Sequence, residues 1–358
     1  MVATQVATRI IDGDGHIVEE EDNIISHLRE PYRNARIRRG GLFPAIDHLH
    51  YEPFTPLPGA FSPAGPEQWE QFLETVGIES TVLYPSQGLA IGNATNRDWT
   101  IALTMAYNDW LHARYMKRSS RFKGMALIPM QDPEAAVVEL RRAVLDLGML
   151  GGMIPSNGLS HSVGSKQYWP VYAEAERLGC ALAVHGGIHA KMGLDYLDVF
   201  SATHAIGHPL GQIISATSII FNGVFDKFPG VRIAFLEGGV AWLLMLLERY
   251  DRSYWTHYPF NPRGDILQLR EGEKVAGYMI RQMKERRMFI GCEGEEPSIA
   301  YAVKTVGNEP FFFSSDFPHE VNIEMCQHEL GEIVDNHELT DADKQAILYQ
   351  NSAAFYKL

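Results

Sequence analysis

The fold and the chemistry of this chain are both indicated by one stretch near its start, Ile10-Ile11-Asp12-Gly13-Asp14-Gly15-His16-Ile17. Two β-branched residues begin it, as expected for a buried strand. Side chains alternate with a period of two along a strand, so Asp12, Asp14 and His16 share one face. A carboxylate and an imidazole are costly to bury, and a divalent cation between them would offset that cost. The alternative is a turn in which the Asp-Gly pairs cap the strand.

The composition is that of a globular protein with a large core. The chain has 358 residues, of which 46% are hydrophobic and 21% charged, an ordinary mixture. Its formal net charge is −13, which disfavours nucleic acid and anionic membranes as partners because both need a basic face.

The cysteine pattern and the first residues indicate where the protein is found. Three widely spaced cysteines, Cys180, Cys292 and Cys326, favour reduced thiols and an intracellular setting. Residues 1–8 have neither a basic region nor a long apolar run, and no segment reads as a membrane span. We therefore expect a soluble, cytoplasmic protein.

Strand and helix patterns alternate along the whole chain. The predicted strands are Ile10–Ile17, Ser80–Pro85, Phe122–Pro129, Leu150–Pro155, Cys180–His185, Val231–Glu237, Met288–Cys292 and Phe311–Asp316. Eight such units predict an α/β fold, a (β/α)8 TIM barrel forming a single domain over residues 1–358. A doubly wound open sheet is the alternative, but no Gly-x-Gly-x-x-Gly motif opens a helix.

Two excursions interrupt the pattern. Residues 19–66, after the first strand, read as polar and irregular, and so long an insertion predicts a lid, an oligomer contact or a solvated loop. A second insertion, between strands 6 and 7, runs to Glu285 and can supply the contacts of a homodimer.

Several predicted strands end in a potential metal ligand. In a barrel, the carboxyl ends of the strands form the active-site face. The residues at those ends are Asp14, His16, His185, Glu237 and Asp316. Carboxylates gathered on one axis repel one another unless a cation holds them, so a metal site is predicted there.

Other polar residues near strand ends are candidates with solvent-facing alternatives. His208 precedes Pro209 at the predicted start of a helix, so its ring is a candidate catalytic group facing the site. Further candidates are ligands or their hydrogen-bond partners, substrate-orienting acids, and insertion histidines: His204 and His319; Glu293, Glu295 and Glu296; His48 and His50.

At this point the sequence resembles a known family. The first-strand stretch is similar to the signature of the amidohydrolase superfamily, in the branch with aminocarboxymuconate semialdehyde decarboxylase and the resorcylate decarboxylases. Further landmarks are Val184-His185-Gly186-Gly187, the segment Gly223-Val224-Phe225-Asp226-Lys227-Phe228-Pro229-Gly230-Val231-Arg232-Ile233, Ser314-Ser315-Asp316-Phe317-Pro318-His319, and Asn351-Ser352-Ala353-Ala354-Phe355-Tyr356.

The resemblance implies roles for individual residues. Asp14 and His16 match the first-strand ligand pair, His185 the fifth-strand ligand, and Asp316 the residue that binds metal or takes a proton. Two positions depart from the pattern. Asp14 replaces the usual His or Glu, and Glu237 stands where the decarboxylases carry a histidine.

These observations predict a metal-dependent enzyme that hydrolyses or decarboxylates a small organic substrate. One or two divalent zinc, manganese or iron ions would be held by Asp14, His16, His185, Glu237 and Asp316. Asp316 would move the proton, while Glu237 anchors metal or water. An oxygen-activating dinuclear monooxygenase and a non-catalytic partner subunit are the alternatives.

Overall fold

The computed structural model describes residues 9–35, 40–49, 64–257 and 267–358. Eight parallel strands lie side by side in chain order, which confirms the predicted (β/α)8 barrel. The strands are β1 (Ile11–Ile17), β2 (Ser80–Pro85), β3 (Phe122–Leu127), β4 (Gly151–Pro155), β5 (Ala181–His185), β6 (Arg232–Leu236), β7 (Met288–Cys292) and β8 (Phe311–Phe313).

Backbone hydrogen bonds complete the barrel between its last and first strands. The His16 N–H donates to the carbonyl of Phe317 at 2.7 Å, and the Asp316 N–H donates to the carbonyl of Asp14 at 3.0 Å. The segment after β8 is therefore held along β1, and the candidate ligands of the two elements are placed next to each other.

Helices surround the barrel, and their caps match the sequence. Asp132 and Asn96 accept N–H groups from the first turns of the helices that they precede, as expected of N-cap residues. The helices are α1 (Glu21–His27), α2 (Pro66–Val76), α3 (Arg97–Leu111), α4 (Pro133–Leu145), α5 (Trp169–Leu178), α6 (Phe200–Phe221), α7 (Val224–Lys227), α8 (Ala241–His257), α9 (Val275–Lys284), α10 (Ile299–Val306), α11 (Ile323–Asp335), α12 (Asp341–Gln345) and α13 (Asn351–Tyr356).

One helix begins earlier in the chain than the sequence predicted. The sequence placed His208 and Pro209 at the start of a helix, but α6 begins at Phe200 and contains Pro209 in its interior. That prediction was wrong because a proline removes only one helical hydrogen bond, and neighbouring turns can retain the helix around it. His208 consequently lies inside α6, directly before Pro209, and its side chain is buried.

The two insertions are more regular than predicted. The described part of residues 19–66 includes α1, and the second excursion includes α9. Residues 45–47 are tied to the barrel: the carbonyl of Ile46 accepts the N–H of His189 at 3.1 Å, and that of Ala45 accepts the Asn93 amide at 2.9 Å. The roles as lid and dimer contact remain predictions.

Membrane insertion finds no support in the described helices: none of them combines the length and the apolar character that crossing a bilayer requires.

The glycines of β1 are explained by packing and not by a turn. The strand continues through both Asp-Gly pairs, so the turn interpretation was wrong. A Cβ on Gly15 would lie 2.4 Å from Trp69, 2.6 Å from the Thr81 hydroxyl and 2.7 Å from the Asp12 carboxylate. The face opposite the ligands is thus too crowded for any side chain.

Gly15→Ala is expected to destabilise the protein by about 1–3 kcal/mol, because the added methyl group overpacks this face. The matched control is Gly331→Ala inside α11, where a Cβ meets nothing within 4 Å and the better helix propensity of alanine raises stability. Thermal unfolding followed by circular dichroism measures the stability of each variant. Equal midpoints for the two variants would contradict the packing explanation.

A buried carboxyl group lies where α11 packs on the end of β7. Glu329 is 7% exposed, and its Oε2 atom has no hydrogen-bond partner among the described residues. Burial, reinforced by the neighbouring acids Glu295 and Asp316, raises the pKa of Glu329 to about 8. The group is therefore accommodated as the neutral acid.

Glu329→Gln is expected to stabilise the protein increasingly as pH rises from about 5 to about 8.5. A carboxyl with a raised folded-state pKa contributes stability at low pH that is lost as pH rises through the folded value, and glutamine does not ionise. The control is Glu332→Gln, an exposed position on the same helix. Thermal unfolding midpoints of the two variants and the wild type, measured across this pH range, test the prediction. A stability gain in Glu329→Gln that does not change with pH would contradict the raised pKa of Glu329.

Candidate metal centre

The five predicted ligands converge at the carboxyl end of the barrel. Asp14 lies between two imidazoles, with its Oδ1 atom 3.1 Å from His185 Nε2 and 3.6 Å from His16 Nε2. Asp316 Oδ1 approaches the same His16 nitrogen at 3.4 Å. All of these side chains are buried or nearly so. The barrel thus brings together residues that are up to 302 positions apart, as strand-end convergence predicts.

Two of the acids occupy an unusual backbone conformation. Glu237 comes directly after the last residue of β6, and Asp316 lies three residues after the end of β8. Both have a left-handed backbone conformation, with φ of 59° and 54°. Non-glycine residues adopt this region only when their surroundings fix it. Both carboxylates contact histidines of the site: Glu237 lies against His185 and Asp316 against His16.

His16 is oriented in the manner of a metal ligand. Its Nδ1 lies 2.7 Å from the carbonyl of Pro85, to which it donates. The Nε2 atom consequently carries the lone pair, points at the two acids, and is fully buried without a hydrogen-bond partner among the described residues. In metal-binding histidines, a hydrogen bond from the nitrogen that does not bind the metal fixes the tautomer of the ring in the same way.

The donor set fits a divalent transition metal. One atom each from Asp14, His16 and His185 can be chosen so that all lie within 4.8 Å of one another, and the same holds for His16, Glu237, Asp316 and His319. The two groups share His16, whose Nε2 has no hydrogen-bond partner in the described part of the chain. A mixed imidazole and carboxylate set suits manganese, iron or zinc.

A second polar chain runs from Asp316 away from the centre. Its Oδ1 atom is 2.8 Å from His319 Nδ1, and His319 Nε2 is 2.8 Å from the Ser86 hydroxyl. Burial raises the pKa of Asp316 to about 7. Burial opposes a charge on His319, but the Asp316 carboxylate outweighs it and raises the pKa of His319 to about 9. The pair therefore retains a proton near neutral pH.

Glu237 lies between two histidines. Its Oε2 atom is 3.2 Å from His185 Nδ1 and its Oε1 atom is 3.5 Å from His208 Nδ1. Although burial opposes ionisation, the neighbouring imidazoles hold the pKa of Glu237 well below its usual range. Glu237 is therefore a carboxylate that accepts hydrogen bonds or binds a cation.

The remaining acidic candidates and the insertion histidines lie in loops or outside the described residues. His204, on α6, faces Glu320. Glu296 holds the β6 and β7 loops together by accepting the N–H groups of Val240 at 2.5 Å and Glu293 at 2.9 Å. Glu295 is exposed beside His328, and His48 donates to the Leu197 carbonyl. His50 lies outside the described residues.

Sequence reasoning missed two groups. The sequence placed Asp12 on the same face as Asp14 and His16, but that was wrong: the register of β1 shifts between Asp12 and Gly15, and the Asp12 carboxylate lies on the side toward which a Cβ on Gly15 would point. It accepts the Thr81 hydroxyl at 2.6 Å and the Ser315 N–H at 2.9 Å, joining β1 to β2 and to the segment after β8. His189 is buried against Asp47 of the insertion, with Nδ1 3.2 Å from Oδ2. A second histidine four residues after His185 was the available signal.

Comparison with known sequences gives relatives with decarboxylase activity. The chain is 27% identical to the gamma-resorcylate decarboxylase of Rhodococcus jostii over 295 residues, covering 78% of this chain and 83% of that protein. It is 26% identical to the 2-amino-3-carboxymuconate-6-semialdehyde decarboxylase of Dictyostelium discoideum over 203 residues, covering 53% of this chain but only 56% of that protein.

Comparison with solved structures shows the same fold. The 5-carboxyvanillate decarboxylase of Sphingomonas paucimobilis superposes with a TM-score of 0.76 at 20% identity, covering 98% of this chain and 99% of that one. A manganese-bound 5-carboxyvanillate decarboxylase of Novosphingobium aromaticivorans gives 0.74 at 15% identity, covering 99% of both. The model of the amidohydrolase family matches residues 11–358. The chain belongs to the amidohydrolase family.

Proposed function

We propose that this protein is a metal-dependent carboxy-lyase that releases carbon dioxide from a small aromatic acid. The observation that carries the proposal is the hydrogen-bonded pair of Asp316 and His319, 2.8 Å apart, which lies beside a group of buried metal-ligating side chains and retains a proton near neutral pH. The relatives named above support the reaction and the substrate class.

Four residues would hold the metal ion: Asp14, His16, His185 and Asp316. A divalent ion held there would supply Lewis-acid chemistry, stabilising negative charge that develops on the substrate. Manganese, which the Novosphingobium aromaticivorans structure contains, suits this mixed set of two carboxylates and two imidazoles, as do iron and zinc.

Asp316 and His319 would supply the proton that the reaction consumes. Loss of carbon dioxide leaves an electron pair on the ring carbon, and that carbon must receive a proton. The proton held by the Asp316–His319 pair moves from His319 to Asp316 across their 2.8 Å contact, and Asp316 delivers it to the ring carbon. The Ser86 hydroxyl, 2.8 Å from His319 Nε2, holds that ring in place. General acids contribute about 10²- to 10⁴-fold to such steps.

Glu237 favours hydrolysis as the second candidate function. The position would carry a histidine in a decarboxylase of this type, but here an ionised carboxylate faces the centre. A carboxylate can accept a proton from water and thereby activate it for attack on an ester or amide. The products of the reaction separate the two candidates, since only decarboxylation releases carbon dioxide.

Removal of the His16 imidazole is expected to abolish metal binding at this centre, because its Nε2 atom lies next to the carboxylates of Asp14 and Asp316. The protein is equilibrated with manganese chloride, desalted and analysed for metal. The wild type should retain at least about one ion per chain, and His16→Ala should lose that ion. His337→Ala, an exposed position, is the control. Equal manganese in His16→Ala and the wild type would contradict the assignment.

Asp316→Asn is expected to lower the turnover of decarboxylation by about 10²- to 10⁴-fold, because the amide cannot donate the required proton. Manganese-loaded protein is assayed with 2,6-dihydroxybenzoate and 5-carboxyvanillate, and carbon dioxide is measured directly. The control is Asp335→Asn, an exposed acid at the end of α11.

Two results would count against this proposal. Wild-type turnover in Asp316→Asn would remove Asp316 from the proton transfer. If the manganese-loaded wild type released no carbon dioxide from hydroxybenzoates but hydrolysed aryl esters or amides, hydrolysis would replace decarboxylation.

A further inference from the structure

Glu19 is a buried acid near the metal centre, 5% exposed, that no step of the proposed reaction uses. We propose that Glu19 is a positioning residue. Its carboxylate holds the segment after β2 (residues 86–88, called here the β2 turn), so that the Ser86 hydroxyl keeps its contact with His319. The inference rests on the proposed function, in which the pair of Asp316 and His319 supplies the proton.

The pairing of the first two strands brings Glu19 to the β2 turn. Ile17, the last residue of β1, pairs with Pro85, the last residue of β2, in parallel register. Glu19 and Gln87 each come two residues after those strand ends, so the chain places them beside each other. Both lie at the carboxyl edge of the barrel, which is the edge that carries the metal centre.

Both carboxylate oxygens of Glu19 bind the β2 turn. Its Oε1 atom accepts the N–H of Gly88 at 2.8 Å, and its Oε2 atom accepts the N–H of Gln87 at 3.0 Å. Hydrogen bonds to a carboxylate are stronger than those between neutral groups. Because the two N–H groups are consecutive, one side chain fixes the orientation of two successive peptide units.

The contact between Glu19 and the turn is closely fitted and costly to maintain. Burial raises the pKa of Glu19 to about 7, while the N–H groups of Gly88 and Gln87 act against that rise. A Cβ on Gly88 would lie 3.2 Å from Glu19 Oε1 and 2.6 Å from Pro85 Cβ, so a side chain there would crowd the carboxylate. A buried acid with so little tolerance at its partner favours a role at the neighbouring site.

The β2 turn carries the group that orients His319. The Ser86 hydroxyl lies 2.8 Å from His319 Nε2, and Nδ1 of the same ring lies 2.8 Å from Asp316 Oδ1. Ser86 directly precedes the two residues whose N–H groups Glu19 binds, so a displacement of the turn also displaces the hydroxyl. Glu19 thus acts on the proton-supplying pair through Ser86.

The metal ligand next to the turn is held in a different way. His16 donates from Nδ1 to the carbonyl of Pro85 at 2.7 Å. Pro85 belongs to β2 and is fixed by its pairing with Ile17. Loss of the Glu19 carboxylate should therefore disturb Ser86 more than Pro85, and turnover should fall while the metal ion is retained.

The kinetic test uses the full chain, loaded with manganese chloride, desalted, and assayed for carbon dioxide release from 2,6-dihydroxybenzoate and 5-carboxyvanillate. Glu19→Ala is expected to lower kcat by about 10- to 100-fold, with little change in KM and with the manganese content of the wild type. Glu19→Gln keeps one oxygen acceptor and should lose less. The control is Glu20→Ala, the adjacent acid, whose carboxylate pairs with Arg114 at the surface; it should turn over as the wild type does.

A double-mutant cycle distinguishes positioning through Ser86 from a general loss of stability. Ser86→Ala should lower kcat to a similar extent. The variant with both Glu19→Ala and Ser86→Ala should be no slower than the slower single variant, because both changes remove the same support of His319. Losses that multiply in the double variant would overturn the proposal, as would wild-type kcat in Glu19→Ala. Glu19→Gln allows the same cycle to be measured if the alanine variant does not fold.

Nitrogen NMR of the histidine rings tests the position of His319 without any reaction. The full chain is labelled with ¹⁵N-histidine and loaded with zinc, which suits the ligand set and is not paramagnetic. The His319 resonances are assigned by their loss in His319→Gln. The Nε2 resonance should move in Glu19→Ala in the direction in which it moves in Ser86→Ala, and an unchanged Nε2 resonance in Glu19→Ala would overturn the proposal.

The two readouts keep this proposal apart from the proposed function. A displaced Nε2 resonance in Glu19→Ala, together with a wild type that releases no carbon dioxide, would contradict the decarboxylase function and support the positioning role. Carbon dioxide release by the wild type, with neither kcat nor the Nε2 resonance changed in Glu19→Ala, would do the reverse.

Discussion

The structure depends on acids that are buried together with imidazoles at the carboxyl end of the barrel. Asp14, Glu237 and Asp316 lie around two imidazoles with almost no contact with water. Burial raises the pKa of Asp14 and Asp316, which means that their charges are not fully compensated by the protein. The orphaned Nε2 atom of His16 marks where a positive ion would compensate them. The cost of this arrangement is a reason to regard it as functional.

The same strand, β1, carries residues that pack the barrel and residues that form the candidate metal centre. Asp14 and His16 of β1 point at the site, while the Asp12 carboxylate binds Thr81 and Ser315 of the neighbouring segments. Gly13 and Gly15 allow Phe312 and Trp69 to pack against the backbone of the same strand. The hydrogen bonds between β1 and the segment after β8 fix Asp316 beside His16. A change that loosens this packing therefore also displaces ligands.

The strands and their ligands could be predicted because they depend on local pattern and barrel topology. Short apolar runs alternating with helical patterns indicated the strands, and the strand-end rule placed His185 and Asp316 together although they are distant in sequence. The start of α6 could not be predicted, because Pro209 reads as a helix start while tertiary packing supports a helix through it. Nor could the contact between His189 and Asp47, because no local pattern indicates where an insertion folds back onto the barrel.

The central claim is that a metal ion is bound by β1, β5 and the segment after β8. Anomalous diffraction from crystals of the manganese-loaded protein, recorded at the manganese absorption edge, tests it most directly. The account predicts a peak about 2.0–2.2 Å from His16 Nε2 and from an Asp14 carboxylate oxygen. An anomalous map without a peak among Asp14, His16, His185 and Asp316, in protein that binds manganese elsewhere, would contradict it.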